Sequence, residues 1–411
     1  MLPEGWESKK LGSISSLVTS GSRDWAQFYS DTGSKFIRMT NLRRDSIYLK
    51  MDDLKFVDVN SDSADGKRTS LQTGDILISI TAELGKIGWI HFGLGQAFIN
   101  QHTALVRVKP KDAESKFIAY LLCSGAYHRR INSLNDAGAK AGLNLATIRT
   151  LDITLPPLHE QKKIAQILST WDNAILAIER LLDNSQQRKK ALMQQLLTGK
   201  KRLLGFEEEW KSGTLAEIAN IDSGYAFKSS DFTDSEEGIP IVKMSDFKEG
   251  RLDLSQAAKV STNYLSNIDK FKLQVGDFVF GMSGSLSNYA WVKVENLPCY
   301  LNQRVGRIVS KKNANHLFVT YLYLSDKVQQ SILDKAAGAA QLNISVTDLR
   351  KLPVKYPSKI EQQAIANILT TADQEIDALQ KRLEHLKLEK KALMQQLLTG
   401  KRRVVADVDA A

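Results

Sequence analysis

The sequence predicts an α+β protein built as an internal repeat. Two globular domains are each followed by a long helix, and the two helices pair as an antiparallel coiled coil about a pseudo-twofold axis. Three observations predict this. The segment KKALMQQLLTGK stands at Lys189–Lys200 and, unchanged, at Lys390–Lys401. The stretches that precede the two copies match one another in order along the chain. Each copy also closes an apolar heptad pattern too long and narrow for a helix packing only on its own domain.

The repeat comes first because it governs everything after it. Trp6 in EGWESKKLGSISSLV matches Trp210 in EEWKSGTLAEIANID. FIRMTNL (Phe36–Leu42) matches IVKMSDF (Ile241–Phe247), and LQTGDILIS (Leu71–Ser79) matches LQVGDFVFG (Leu273–Gly281). INQ (Ile99–Gln101) pairs with LNQ (Leu301–Gln303), FIAYLLCS (Phe117–Ser124) with FVTYLYLS (Phe318–Ser325), and AGLNL (Ala141–Leu145) with AQLNI (Ala340–Ile344). EQKKIAQILSTWDNAI (Glu160–Ile175) then answers EQQAIANILTTADQEI (Glu361–Ile376). The chain of 411 residues is thus two units, each of about 200 residues. Glycines and apolar positions are kept across the units, most polar positions of the globular parts differ, and the tails are identical. A shared scaffold carrying two different polar surfaces has this pattern.

Within each unit the first part reads as strands and short helices. GDILISI and GDFVFGM are β-branched or aromatic runs after a Gly-Asp turn, and TALVRVKP and VGRIVSKK are further strands. SKFIAYLLCSGAYHRRI and NHLFVTYLYLSDKVQQSI each read as an amphipathic helix. The long helices follow. Pro156 and Pro157 open the first. In the second, Ser358 with Glu361 three residues on reads as a capping box. Gly199 and Gly400 are the stops, and Lys200, Lys201, Arg202 and Lys401, Arg402, Arg403 suit the negative helix end. The resulting boundaries are 1–156, a first globular domain; 157–200, a first long helix; 201–356, a second globular domain; 357–400, a second long helix; and 401–411, a tail.

Each helix runs about 40 residues, or roughly 60 Å. Along the first, Ile164, Trp171, Ile178, Ser185 and Leu192 alternate with Leu168, Ile175, Leu182, Lys189 and Leu196. Along the second, Ile365, Ala372, Leu379, Leu386 and Leu393 alternate with Leu369, Ile376, Leu383, Lys390 and Leu397. This is an a/d seam. In one antiparallel register Trp171 faces Lys390 and Lys189 faces Ala372, which gives each polar intruder a neighbour.

Composition places the chain among ordinary globular proteins, with 43% hydrophobic and 25% charged residues. The formal charge of +10 favours a polyanionic partner. Cys123 and Cys299 lie far apart and form neither a metal-ligand spacing nor a disulfide framework. No apolar run reaches membrane-span length and the N-terminus lacks a signal-peptide core, so a cytoplasmic protein is expected. No catalytic motif appears. LPPL holds the one Pro-Pro, so an Asp- or Asn-Pro-Pro-aromatic amino-methylation motif is missing, and no phosphate loop with Lys-Ser/Thr occurs. None of His91, His102, His128, His159, His316 and His385 has a counterpart His in the other unit, which argues against metal or acid–base roles. The reading is a non-enzymatic binding protein with no catalytic and no metal-binding residues.

Taken together, the two-unit architecture, GDILIS with NQ downstream, GAKAGLNLATIRTLDITLPPLHEQKKIAQIL with its counterpart GAAQLNISVTDLRKLPVKYPSKIEQQAIANIL, and the repeated LMQQLLTGK resemble the specificity (S) subunit of type I restriction–modification systems. The resemblance covers essentially the whole chain. It implies that each globular domain is a target recognition domain reading one half of a split double-stranded DNA sequence, and that the helices set the gap. It further implies two methyltransferase (M) subunits, which supply S-adenosylmethionine binding and adenine N6 methylation, and restriction (R) subunits using ATP and Mg in the full endonuclease complex. This chain would bind no cofactor of its own. YPSKIEQ in the second unit departs from the double proline of the first, which bears on how that helix begins. The competing reading is a two-headed coiled-coil protein adaptor without DNA binding, and co-purification with a methyltransferase separates the two.

Residues that read bases should be polar, on loops and different between the units, with Lys and Arg on phosphates for register. In the first unit Arg38, Asn41, Arg43, Arg44, Lys67, Arg68 and Lys140 qualify. In the second, Lys243, Ser245, Asp246, Lys248, Ser283, Ser285, Asn288 and Gln341 do. Arg38 and Lys243 are equivalent, which suits a shared backbone contact. Asn100 and Gln101, with Asn302 and Gln303, are shared and cannot by themselves explain two different half-sites. Asn144 and Asn343 read as turn or cap residues.

Overall fold

A computed structural model describes residues 2–23, 25–135, 142–248, 250–261, 268–337 and 342–404. Lys140, Gln341 and the end of the tail lie outside the described residues. The chain forms two compact units, Met1–Glu179 with Arg382–Ala411, and Arg180–Lys381. Each unit therefore contains one globular part, the start of the long helix that follows it, and the end of the other long helix.

In unit 1, the β-branched runs form a four-stranded antiparallel sheet in the order Ser15–Ser20, Thr103–Val108, Ile76–Ser79, Ile87–Trp89. A second sheet orders Tyr29–Ser30, Lys55–Val57, Ser34–Ile37 and Ala97–Ile99, the last pair parallel. Glu7–Lys10 pairs with Asp152–Leu155 just before the long helix. Unit 2 repeats the plan. Its first sheet orders Ala219–Ser223, Val305–Ser310, Phe278–Gly281 and Tyr289–Trp291. Its second orders Phe232–Thr233, Lys259–Val260, Ile239–Val242 and Tyr300–Leu301, again with a parallel last pair. Lys211–Thr214 pairs with Pro353–Tyr356.

Two details differ from the sequence reading. SKFIAYLLCSGAYHRRI is two helices, Ser115–Cys123 and Gly125–Ser133. Ser124 breaks them by taking extended backbone, donating its hydroxyl to Leu121 O at 2.6 Å and accepting from Tyr127 N. Ser325 divides His316–Leu324 from Asp326–Ala336 with the same extended backbone and the same hydroxyl bond back to a carbonyl, Leu322 O at 2.6 Å, but it does not cap the second helix with its side chain. The second difference is an alignment slip. Leu143 N–H donates to Ile80 O and Ile344 N–H to Met282 O, each at 3.0 Å, so Gly142 rather than Asn144 is the counterpart of Asn343. Asn144 does cap a helix, accepting from Thr147 N at 2.8 Å, and Ser345 fills that role in unit 2 by accepting from Asp348 N at 3.0 Å.

The long helices run Leu158–Leu196 and Lys359–Leu397. Gly199 and Gly400 follow with φ of +70° and +69°, the left-handed backbone that glycine adopts without a Cβ penalty. Within unit 1 the pairs Glu160–Arg403, Asp172–Lys390 and Glu179–Lys387 show antiparallel pairing, one number rising as the other falls. Within unit 2, Glu361–Arg202, Asp373–Lys189 and Glu375–Ser185 show the same. Lys390 thus meets Asp172 rather than the neighbouring Trp171, and Lys189 meets Asp373 rather than Ala372.

The apolar seam residues named above, Ile164 to Leu196 and Ile365 to Leu397, are all buried or half-buried. Their roles divide by position. Ile164 and Leu168 join Leu397 and Leu398 in the core of unit 1. Ile365 and Leu369 join Leu196 and Leu197 in the core of unit 2. Ile178, Leu182, Ile376, Leu379, Leu383 and Leu386 are half-buried, as befits a two-stranded pairing. Each repeated LMQQLLTGK therefore completes a globular core, and burying one such leucine contributes roughly 1.5–3 kcal/mol.

Candidate nucleic-acid interface

The helix starts carry the most regular polar geometry. Glu160 and Glu361 are buried at 4% and 1% exposure. Arg202 grips Glu361 with two bonds of 2.7 and 2.8 Å. Arg403 grips Glu160, with Nε to Oε2 at 3.0 Å. The adjacent glutamines bridge in matching fashion. Gln161 accepts from Glu114 N (2.9 Å) and donates to Pro156 O (2.8 Å). Gln362 accepts from Asn315 N (2.8 Å) and donates to Pro357 O (2.9 Å). The expected capping box at Ser358 is overridden, because the Glu361 carboxylate faces Arg202 and Trp210 instead. Arg202 and Arg403 likewise act on these glutamates rather than as free charges at a helix end. A fork-to-carboxylate pair of this kind gives direction as well as energy.

About three turns further along, Asp172 accepts from Lys390 Nζ and from Tyr120 Oη, both at 2.5 Å. Asp373 accepts from Lys189 Nζ at 2.5 Å and from Tyr321 Oη at 2.7 Å. Lys390 and Lys189 each lie 5.5 Å from the ring of that tyrosine. This carboxylate beside the phenol, together with burial, pushes both tyrosines well above their ordinary range, burial contributing most. The Glu-Gln pair and the Lys-Asp-Tyr cluster are thus one frame made twice, and none of it was evident from local patterns.

The loop candidates fall into separate groups. Arg38 and Lys243 open equivalent single turns, Met39–Asn41 and Met244–Asp246. Asn41, 1% exposed, accepts from Arg38 N at 2.9 Å and donates to Lys50 O at 2.9 Å. Asp246, 5% exposed, accepts from Lys243 N at 2.8 Å and from the Ser245 hydroxyl at 2.8 Å. Asn41 and Asp246 are therefore turn-closing residues, not base-facing ones, because either side-chain oxygen accepts the same N–H. Arg38 pairs with Asp53 at 2.9 Å, and Lys243 Nζ sits 4.2 Å from the Phe232 ring.

Arg43 is held by Asp45 at 3.2 Å. Burial alone would lower the Arg43 guanidinium, but Asp45 and, less, Glu179 of the long helix more than reverse it. The Arg43 side chain thus lies in the field of the helix pair. Arg44 is exposed, and its carbonyl accepts the Cys123 thiol, which burial pushes up to about 12. Lys67 is exposed, whereas Arg68 is tied to Thr19, Ser20, Ser22 and Asp65. Lys248 pairs with Asp253, whose carboxyl it holds below the usual carboxylate range. Ser283, Ser285 and Asn288 share one turn, with Ser285 Oγ 3.1 Å from Asn288 Oδ1 and Ser283 bridged to Asn343.

With this geometry in place, the comparisons decide the family. Residues 3–185 and again 207–388 match the family described as type I restriction modification DNA specificity domain. The chain belongs to that family. It is a type I restriction–modification specificity subunit by that membership, with the family domain present twice. The type I restriction enzyme MjaVIII specificity subunit of Methanocaldococcus jannaschii is 31% identical over 268 residues, 62% of this chain and 63% of that protein. A putative type I restriction enzyme MjaX specificity subunit from the same organism is 26% identical over 430 aligned positions, covering 98% and 95%. In fold, the chain resembles the crystal structure of a type I restriction–modification S subunit from M. genitalium, with TM-score 0.62 at 15% identity over 95% of this chain and 96% of that one. Among the described residues, no His, Cys, Asp and Glu group could hold a metal ion, and no helix is long and apolar enough to cross a membrane.

Proposed function

We propose that the two globular parts, residues 1–156 and 201–356, each read one half of a bipartite double-stranded DNA target. The helices of 157–200 and 357–400 set the gap and dock two methyltransferase subunits. On this reading the chain supplies sequence choice only. S-adenosylmethionine, ATP and Mg belong to the methyltransferase and restriction partners.

One observation carries the reading. The frame residues are the same in both units, Glu with Arg and Asp with Lys and Tyr, while the polar residues of the loops differ. Two identical partners would want the first, and two different half-sites the second. The net charge of +10 suits a phosphate backbone as the common contact.

Insertion of one heptad into each long helix, at Ile178–Leu182 and Leu379–Leu383, tests it. Seven residues add about 10 Å, or about three base pairs of duplex. Methylome sequencing of cells carrying the altered chain should show a gap longer by about that amount with both half-sites unchanged. Altered half-sites with an unchanged gap would reject the assignment of the spacer.

A further inference from the structure

The two units share a backbone frame at one sheet end, yet carry different side chains there. In unit 1, Ile80 N–H donates to His102 O at 3.0 Å, and Thr81 bridges Gly142. In unit 2, Met282 N–H donates to Arg304 O at 3.0 Å, and Ser283 bridges Asn343. Asn100 and Asn302 hold the frame from behind. The Asn100 side-chain Oδ1 accepts from His102 N (3.3 Å) and the Thr103 hydroxyl (3.1 Å), and the Asn302 Oδ1 accepts from Arg304 N (3.3 Å). Shared Asn is thus frame, as its presence in both units suggests.

What projects from the frame is not shared. His102 is half-buried, with Nδ1 2.8 Å from Thr81 Oγ1 and Nε2 3.1 Å from Gln101 Nε2. Arg304 is exposed, and its guanidinium has no partner among the described residues. Beside them the turn holds Ala82 at φ 59° where unit 2 has Gly284 at +71°. Ala82 is the one non-glycine with positive φ among the described residues, so the frame fixes a conformation that alanine alone would avoid.

We infer that positions 102 and 304 each determine one base pair of their unit's half-site. This rests on the reading of the globular parts as DNA readers. Arg304 presents a planar fork that matches O6 and N7 of a guanine in the major groove. His102 has both ring nitrogens taken up by Thr81 and Gln101, so at the equivalent position unit 1 offers a compact ring in place of a free donor fork. The same frame would then read different bases because one side chain changes.

Selection from a random duplex library tests this with the full chain assembled with its methyltransferase subunits. Wild type should yield a bipartite motif. Arg304→Ala should relax preference for guanine at one position of one half-site by roughly tenfold or more. The other half-site and the gap should stay as they were, which also shows that the variant is folded. His102→Arg should introduce a guanine preference in the other half-site. Arg304→Lys keeps the charge without the fork, and should relax the same position while leaving the salt dependence unchanged. An unaltered motif in Arg304→Ala and His102→Arg would overturn the inference. So would a uniform loss on all duplexes with a shallower salt dependence, since that is the mark of a phosphate contact. If wild type selects no bipartite motif, the DNA-reading function itself fails, an outcome distinct from both.

Discussion

The two Lys–Asp–Tyr clusters are chemically alike and differ in burial. In unit 1 the Lys390 and Asp172 side chains are 7% and 6% exposed. In unit 2 the Lys189 and Asp373 side chains are 20% and 37% exposed. The lysines come from identical copies of the same segment, so the difference arises from what surrounds them. An ion pair removed from water leaves its survivor stranded if one partner is lost, whereas water can rescue an exposed survivor. Identical sequence in the repeated segment therefore does not imply identical energetic weight.

That contrast is open to a direct test. Lys390→Met should cost about 3–5 kcal/mol, because Asp172 is left buried with only the Tyr120 hydroxyl. Lys189→Met should cost about 1 kcal/mol or less, since Asp373 reaches solvent. Urea denaturation measures both. Hydrogen exchange at Ser115–Cys123 and at His316–Leu324 assigns each loss to its unit. Equal losses would mean that burial does not set the difference.

The apolar part of the same segment predicts the opposite pattern, equality. Leu397 and Leu196 are each 2% exposed and sit in the cores of units 1 and 2. Leu397→Ala and Leu196→Ala should each cost about 2–4 kcal/mol by lost burial and a residual cavity. A large asymmetry by the same denaturation measurement would break the view that each helix end plugs an equivalent site.

How far the sequence revealed all this depends on the range of the interaction. The repeat, the main strands and the two long helices follow from local periodicity and glycine stops, and they stand where the pattern puts them. The breaks at Ser124 and Ser325 are hidden in the sequence because serine inside an apolar period reads as helix, and only the folded chain shows each hydroxyl donated back to the carbonyl three residues before it. Glu361 looked like half of a local capping box, but a guanidinium from far along the chain claimed its carboxylate. Asn41 and Asp246 passed the test of being polar and different between units, and failed that of facing out. Asn and Asp exchange freely in one turn because both offer the same acceptor. His102 and Arg304 present the converse case. Each follows the shared Asn-Gln pair, and a pair kept in both units carries no information about the neighbour that differs.

The strained turn supplies the smallest effect and a further separation of the units. At Gly284 an added Cβ would meet nothing within 4 Å, so only the backbone conformation at φ +71° opposes a side chain. Gly284→Ala should then cost about 1 kcal/mol, the ordinary penalty of left-handed backbone for alanine. Ala82 already bears that penalty at φ 59°. Ala82→Gly should relieve it, and glycine's greater freedom in the unfolded chain offsets part of the relief, leaving a gain of about 0.5 kcal/mol. Thermal unfolding of the two single variants reads both signs. A loss on Ala82→Gly would show that the alanine methyl makes a contact worth more than the strain, and would make this turn a feature of unit 1 alone rather than a frame common to both.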